Sequence, residues 1–306
     1  SNDGNHTLEM KDVIYKFKVN VYTVVNNEET IITGADTLIA LTDNKDNSGL
    51  YTITHEADST LQIGTNESIT EYRYRGASPK NYVTFNNEVW RIIGVFPVDD
   101  GTGKIENRIK LIRNASVGTQ FWNSTQVSST SSYNNWTRAT LKTYLNTTYY
   151  NTLSNIDEQS MIGNAKYYLG GYTQSTGISK DMMYQYERKI SGSNTYYYGT
   201  NSNSWTGKIG LMYISDYGYS ASDTCTSNLS SYNDETCTSN NWLYNIKKNE
   251  WLLPQRSNYS GDVFNIDADG LVGFNSASNN NYAVRPTLYL KYNVQISSGD
   301  GTSSNP

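Results

Sequence analysis

The sequence predicts an α+β protein with a mostly antiparallel sheet, and three observations carry that expectation. Strand-like alternation, punctuated by Asn-Asn and Asp-Gly turns, fills the early part of the chain. Helical periodicity is concentrated in the middle. From Lys208 onward short strand patterns return, two of them joined by Asp269-Gly270. Strand runs and helix runs that keep to separate stretches mark α+β architecture.

Taken in order, Asp12 to Val25 alternates Val13, Tyr15, Phe17, Val19 and Val21 with Lys16, Lys18 and Asn20. That is a half-buried strand, turning at Asn26-Asn27 into a second at Thr30 to Thr33. Ala35 to Leu41 predicts a short helix. A polar, loop-rich connection follows to Thr70, with a short strand near Tyr51 to Thr54. A boundary near Tyr72 to Ser78 would divide a β-rich N-terminal segment (1–75) from the main domain (76–296). Tyr82 to Phe85 and Val89 to Phe96 pair across Asn86-Asn87, residues that tolerate left-handed backbone. Asp99-Asp100-Gly101 turns the chain into a strand at Arg108 to Arg113.

Thr137 to Asn151 predicts a helix with Leu141, Leu145 and Tyr149 on one face, followed by helices at Ile156 to Ile162 and Lys180 to Lys189. The later strands are Lys208 to Ser215, Trp251 to Leu253, Val263 to Ile266, Leu271 to Phe274 and Ala283 to Lys291. The Gly/Ser-rich end, 297–306, is expected to be a flexible tail.

Charged residues are only 17% of the 306, so the polarity comes from Asn, Ser, Thr and Tyr. With 27 Tyr, 6 Trp and 6 Phe the chain has the apolar surface that disordered chains lack. Tyr gives rigid, amphipathic contact area, and Asn and Ser give adaptable hydrogen bonds, a composition suited to recognition outside cells. A net charge of -5 argues against nucleic acid, and no apolar run is long enough to cross a bilayer. The start, Ser-Asn-Asp-Gly, reads as a trimmed or mature end, and on that expectation missing targeting signals carry no weight. Cys225 and Cys237 stand in a polar Ser/Thr/Asn segment. A local disulfide is the leading reading, worth roughly 3 kcal/mol by loop entropy, and two free thiols of a cytosolic protein are the other.

Signals for chemistry are weak. The two histidines, His6 and His55, have no catalytic partners in their surroundings, and no enzyme activity is expected. Gly101-Thr102-Gly103-Lys104 lacks the earlier glycine and following Ser or Thr of a phosphate loop and reads as a hairpin turn. Asp267-Ala268-Asp269-Gly270 lacks the register of an EF-hand. It is read as a strand-connecting turn, and calcium held with help from Asp262 is the competing reading. No other cofactor is expected. Glu187 beside Arg188 reads as a structural ion pair. The Asn-x-Ser/Thr triplets, such as Asn114-Ala115-Ser116, arise by chance in so Asn-rich a chain.

Four segments in order resemble a family of secreted proteins of gut Firmicutes and Mollicutes-like bacteria. They are Tyr82-Val-Thr-Phe-Asn-Asn-Glu-Val-Trp90-Arg-Ile-Ile-Gly94, Thr140-Leu-Lys-Thr-Tyr-Leu-Asn146, Trp205-Thr-Gly-Lys-Ile-Gly-Leu-Met-Tyr213 with Ser215-Asp-Tyr-Gly218, and Ala283-Val-Arg-Pro-Thr-Leu-Tyr-Leu-Lys291. The resemblance implies a C-type-lectin-like fold with two or three helices, related to formylglycine-generating enzymes and to the variable proteins of diversity-generating retroelements. Members of the family often follow an N-terminal pilin-like or signal-anchor helix, which would be the route of any membrane attachment.

By that resemblance Trp90, Trp205, Val284, Arg285 and Pro286 belong to the scaffold. The stretch from Trp251 to Tyr282 then carries a variable, ligand-facing surface: Gln255, Arg256, Asn258, Tyr259, Asn265, Asp267, Asn275, Ala277, Asn279, Asn281 and Tyr282. The calcium triplets of sugar-binding C-type lectins are missing, and the two cysteines do not lie near the chain end as in the oxidase relatives. The expected function is that of an adhesin-like domain on the surface of a bacterium, binding a host or bacterial surface protein or glycan. A glycan-binding lectin and a pilin-like structural subunit are the alternatives.

Overall fold

The computed structural model describes residues 17–18, 32–46, 49–125 and 133–306. Its architecture is α+β, mostly antiparallel sheet, with six α-helices among the described residues. The predicted N-terminal hairpin lies outside the described residues except for Phe17–Lys18, which pairs with Gln295–Ile296, and for Ile32 and Thr33. Thr33 is not in a strand: it caps the helix Gly34–Ala40, exchanging hydrogen bonds with Asp36 three residues on.

A seven-stranded antiparallel sheet forms the larger layer. Across it run Ile209–Gly210, Thr287–Tyr289, Ile105–Arg113, Glu88–Asp99, Ile69–Tyr74 and Leu50–His55, and Tyr82–Phe85 also pairs with Glu88–Asp99. Glu88–Asp99 is central, buried on both faces from Trp90 to Phe96, and so reads as an apolar run interrupted only by Arg91 rather than as an alternation. Asn86 and Asn87 supply the hairpin before it with φ of 54° and 60°. Gly94 sits at a shift of register, where a Cβ would stand 2.0 Å from the Tyr72 carbonyl oxygen.

A second sheet of five strands carries the later part of the chain. Its order is Val272–Ser276, Asp262–Ile266, Glu250–Gln255, Tyr282–Ala283 and Thr119–Gln120, with only the Glu250–Ala283 pairing parallel. Ala165–Tyr168 and Ser204–Gly207 form a separate ribbon. Trp122, Trp136, Trp205, Tyr167, Tyr289 and Phe96 meet in an unbroken series of ring contacts that joins the ribbon to the large sheet.

The structure corrects several expectations. No division falls near residue 75: Ile69–Tyr74 pairs with Glu88–Asp99, and Arg73 bonds Asp216, so Leu50–Tyr74 belongs to the main sheet. The end of the chain folds back, with Gly301 accepting from the Tyr82 N–H and Asp300 capping the turn to Thr302. The predicted helix Thr137–Asn151 is a composite: α at Thr140–Tyr144, a π turn at Leu145–Tyr149 and 3-10 turns at each end. Lys208–Ser215 keeps two strand residues before a helix, Ile214–Tyr219, whose Asp216 accepts from the Tyr213 N–H. Ala283–Lys291 splits at Arg285-Pro286 into strands of different sheets. A further short helix, Glu235–Thr238, carries Cys237 of the Cys225–Cys237 disulfide.

Beneath the large sheet is a buried ionic network. Arg73 bridges Glu71 (2.8 Å) and Asp216 (2.9 Å), Lys110 reaches the other Asp216 oxygen at 2.5 Å, and Arg188 pairs with Glu187. Glu187 also accepts from the backbone and hydroxyl of Ser215, so the pair read from the sequence as structural is part of the interior. Burial raises the Glu187 carboxyl, whereas Asp216, also desolvated, is held low by Lys110 and Arg73.

Candidate ligand-binding surface

The loop between Glu250–Gln255 and Asp262–Ile266 is built around one amide. Asn134, itself buried, directs Nδ2 at the carbonyl oxygens of Tyr259 (2.8 Å), Arg256 (2.9 Å) and Asp262 (3.0 Å). Its backbone N–H donates to the Ser260 carbonyl. From the other side the Ser257 N–H donates to the Tyr172 carbonyl, and the Ser257 hydroxyl to that of Thr195. A loop with its backbone groups so fully engaged is fixed before any ligand arrives.

Arg256 is fixed as well. Its guanidinium pairs with Asp262 at 3.0 Å, donates to the Asn258 side chain, and lies 3.9 Å from the centre of the Phe274 ring. Tyr259, 56% exposed, stands over this arrangement, 5.7 Å from the guanidinium. Asn258 is exposed beside it. Next to the loop, Tyr172, Tyr186 and Tyr196 form a half-buried stack with ring centres 4.4 and 5.1 Å apart from the middle ring, Tyr186. Burial raises the phenols of Tyr186 and Tyr196, so both stay protonated donors at neutral pH.

The eleven sequence-derived residues do not share one surface. Arg256, Asn258 and Tyr259 come together on the loop. Asn281 is exposed, and Asp267, Asn275 and Asn279 are half-buried; Asp267 lies at the far end of the hairpin, whereas Asn275 pairs with Val263 at the end beside the loop. Four must be withdrawn from the surface. Gln255 is buried, donating to the Leu169 carbonyl and accepting from Tyr198 and Asn201. Asn265 is 1% exposed and bonds Asp267. Ala277 is buried where its N–H meets the Gly261 carbonyl. Tyr282, 4% exposed, stacks on Trp251 with ring centres 4.0 Å apart. Polar side chains on strands that run through a packed layer find partners inside it, which residue type alone does not reveal.

Asp267-Ala268-Asp269-Gly270 is a turn, closed by Asp267 to Leu271 and by Gly270 to Asp267 backbone bonds, with Gly270 at φ 100°. Burial raises the Asp267 carboxyl. Among the described residues no three His, Cys, Asp or Glu side chains gather as metal ligands. His55 lies against Tyr184, ring centres 3.4 Å apart, and bonds Glu71. The scaffold residues Trp90, Val284, Arg285 and Pro286 are buried, and Arg285 holds Glu250 through Nε and Nη2.

No family model, no curated protein and no solved structure matches the chain. The C-type-lectin-like resemblance therefore rests on the four sequence segments.

The sequence did not point to Asn134 or to the tyrosine stack. One signal was present: Gly170-Gly171 immediately precedes Tyr172, and a Cβ on Gly171 would fall 1.7 Å from the Gln255 carbonyl oxygen. Paired glycines before an aromatic residue mark such a close backbone approach.

Proposed function

We propose that the chain is a ligand-recognition domain displayed outside a bacterial cell, with a C-type-lectin-like frame and a contact surface centred on Arg256, Asn258 and Tyr259. The observation that carries this reading is the Asn134 clamp. A loop whose carbonyls are gathered by one buried amide, and which nonetheless leaves a tyrosine 56% exposed, spends its rigidity on display. Rigid aromatic and Arg side chains on a preordered loop are the residues that dominate protein recognition surfaces. The disulfide supports an oxidising compartment. A host or bacterial surface protein is the partner that this loop suits best.

The test is retention of the labelled domain on immobilised mucin, epithelial membranes and bacterial cells. Tyr259→Ala should abolish whichever retention the parent shows, with the melting temperature unchanged. Retention equal to that of the parent would remove the loop from the contact.

A further inference from the structure

On the seven-stranded sheet, apart from the Arg256 loop, the segment 62–70 and the hairpin strands near Pro97 and Ile105 enclose an open groove of about 560 Å³. Of its twelve lining residues only Glu67 is charged. The rest combine aliphatic walls (Ile63, Ile69, Ile105) with amides and hydroxyls such as Asn66, Thr70 and Asn107. The half-buried ring of Tyr72 also lines it, and among the described residues no other ring stacks on it. Ile105, 54% exposed, forms part of the rim.

The groove leads into a pit. Ile63, Ile69 and Pro97 line both, and below them Glu71, Lys166, Tyr168 and Arg188 surround a space of about 10 Å³. That is room for one water-sized oxygen. Among the described residues Arg188 makes its hydrogen bonds through Nη1, to the Tyr184 carbonyl and Glu187. Glu71 makes its own through Oε2, to Arg73 and His55. Both residues line the pit, so its wall carries a carboxylate and a guanidinium.

This arrangement selects by charge and size. A carboxylate entering the pit meets Glu71, and an ammonium meets Arg188 and Lys166, the latter 3.8 Å from Asp99. A hydroxyl suits both, donating to the carboxylate and accepting from the guanidinium, each bond being charge-assisted. Walls of amides, hydroxyls and one unstacked tyrosine face suit a body that is itself neutral and polyhydroxylated.

We propose that this groove is a second binding site, for a neutral oligosaccharide that places one hydroxyl in the pit between Glu71 and Arg188. It stands independently of the Arg256 loop, so neither site's failure decides the other.

The experiment titrates maltotriose, cellotriose, chitotriose and mannotriose into the whole chain, following the isoleucine methyl resonances and the Arg188 Nε–H. At least one sugar should give saturable shifts at Ile63, Ile69 and Ile105. Asn107→Trp, an exposed change that fills the groove, and Tyr72→Ala should each weaken that sugar at least tenfold. Tyr259→Ala should leave it unchanged. Octanoate, an anionic probe of similar reach, should shift nothing in the groove. The proposal is overturned if none of the four sugars moves these methyls, which would leave the pit to an ordered water. Binding indifferent to Asn107→Trp, or a response to octanoate instead of sugar, would overturn it equally.

Discussion

Lys110 and Asp216 meet at 2.5 Å across 106 positions of sequence, and neither side chain reaches water. The contact ties the strand Ile105–Arg113 to the helix Ile214–Tyr219, and Arg73 on the other Asp216 oxygen extends it to the strand Ile69–Tyr74. Three elements that the sequence leaves unconnected are thus held by one carboxylate. Desolvating such a group is expensive, so the network matters chiefly when one member is removed.

Asp216→Asn leaves Lys110 buried without its counter-charge and Arg73 with Glu71 alone. We expect it to destabilise the fold by about 3–5 kcal/mol at neutral pH. The sign with pH follows from the Asp216 and Glu71 carboxyls, both held below their ordinary range by cationic neighbours. A depressed folded pKa contributes stability above the unfolded value of about 4, and that contribution is lost as pH falls further, through the folded pKa. Glu187 and Glu250, raised by burial, act in the opposite sense. The gap in melting temperature between parent and Asp216→Asn should therefore be widest near pH 7 and narrow below about pH 4. A gap constant with pH would contradict the assignment.

Tyr282 and Tyr259 make a paired prediction. Both are tyrosines of the stretch expected to face a ligand, yet one lies flat on Trp251 and the other stands in solvent. Tyr282→Ala should cost about 3–5 kcal/mol in urea unfolding, as deletion of a buried aromatic does. Tyr259→Ala should change it by no more than about 0.5 kcal/mol. Equal costs would mean that the burial of these two side chains is wrongly assigned.

The Cys225–Cys237 bond closes a short segment that ends within the helix Glu235–Thr238 and packs Leu229 and Tyr232 inside. Replacing both cysteines by Ser should lower stability by about 3 kcal/mol through the freed unfolded chain. The same loss should appear in the parent when a reductant is added to the unfolding series, and adding it to the double variant should change nothing.

What could be read from the sequence was what local chemistry decides. Asn86-Asn87 and Asp269-Gly270 announce their turns because only a few residues adopt those dihedrals without strain. The strands Glu250–Gln255 and Asp262–Ile266 were visible through their inner parts, Trp251 to Leu253 and Val263 to Ile266. The helix Ile214–Tyr219 was not, because all six residues are buried and no amphipathic period remains. The break at Arg285-Pro286 was hidden for a similar reason: the ion pair of Arg285 with Glu250 is a long-range choice made by packing. Of the residues that the resemblance puts on a ligand-facing surface, Asn258 and Tyr259 are exposed, whereas Asn265 and Gln255 are buried, because an interior amide looks the same in sequence as an exposed one.

Asn134 gives the sharpest test of display by a rigid loop. Removing its amide leaves the carbonyls of Arg256 and Tyr259 without that donor, and Asp262 with only the Arg256 N–H, at a cost of about 1–3 kcal/mol for buried groups left unpaired. Asn134→Ala should therefore lower global stability by that amount. Amide exchange should also quicken locally, around residues 256–262, because the Arg256 N–H to Asp262 carbonyl bond lies within the loop that the amide holds. Strands of the large sheet, such as Glu88–Asp99, should keep their relative protection. Exchange that quickens evenly over both sheets would show that Asn134 supports the whole fold and not the loop. Ligand retention should fall in the Asn134→Ala variant even though it leaves Tyr259 in place, since binding would then have to include the ordering that the amide had already supplied.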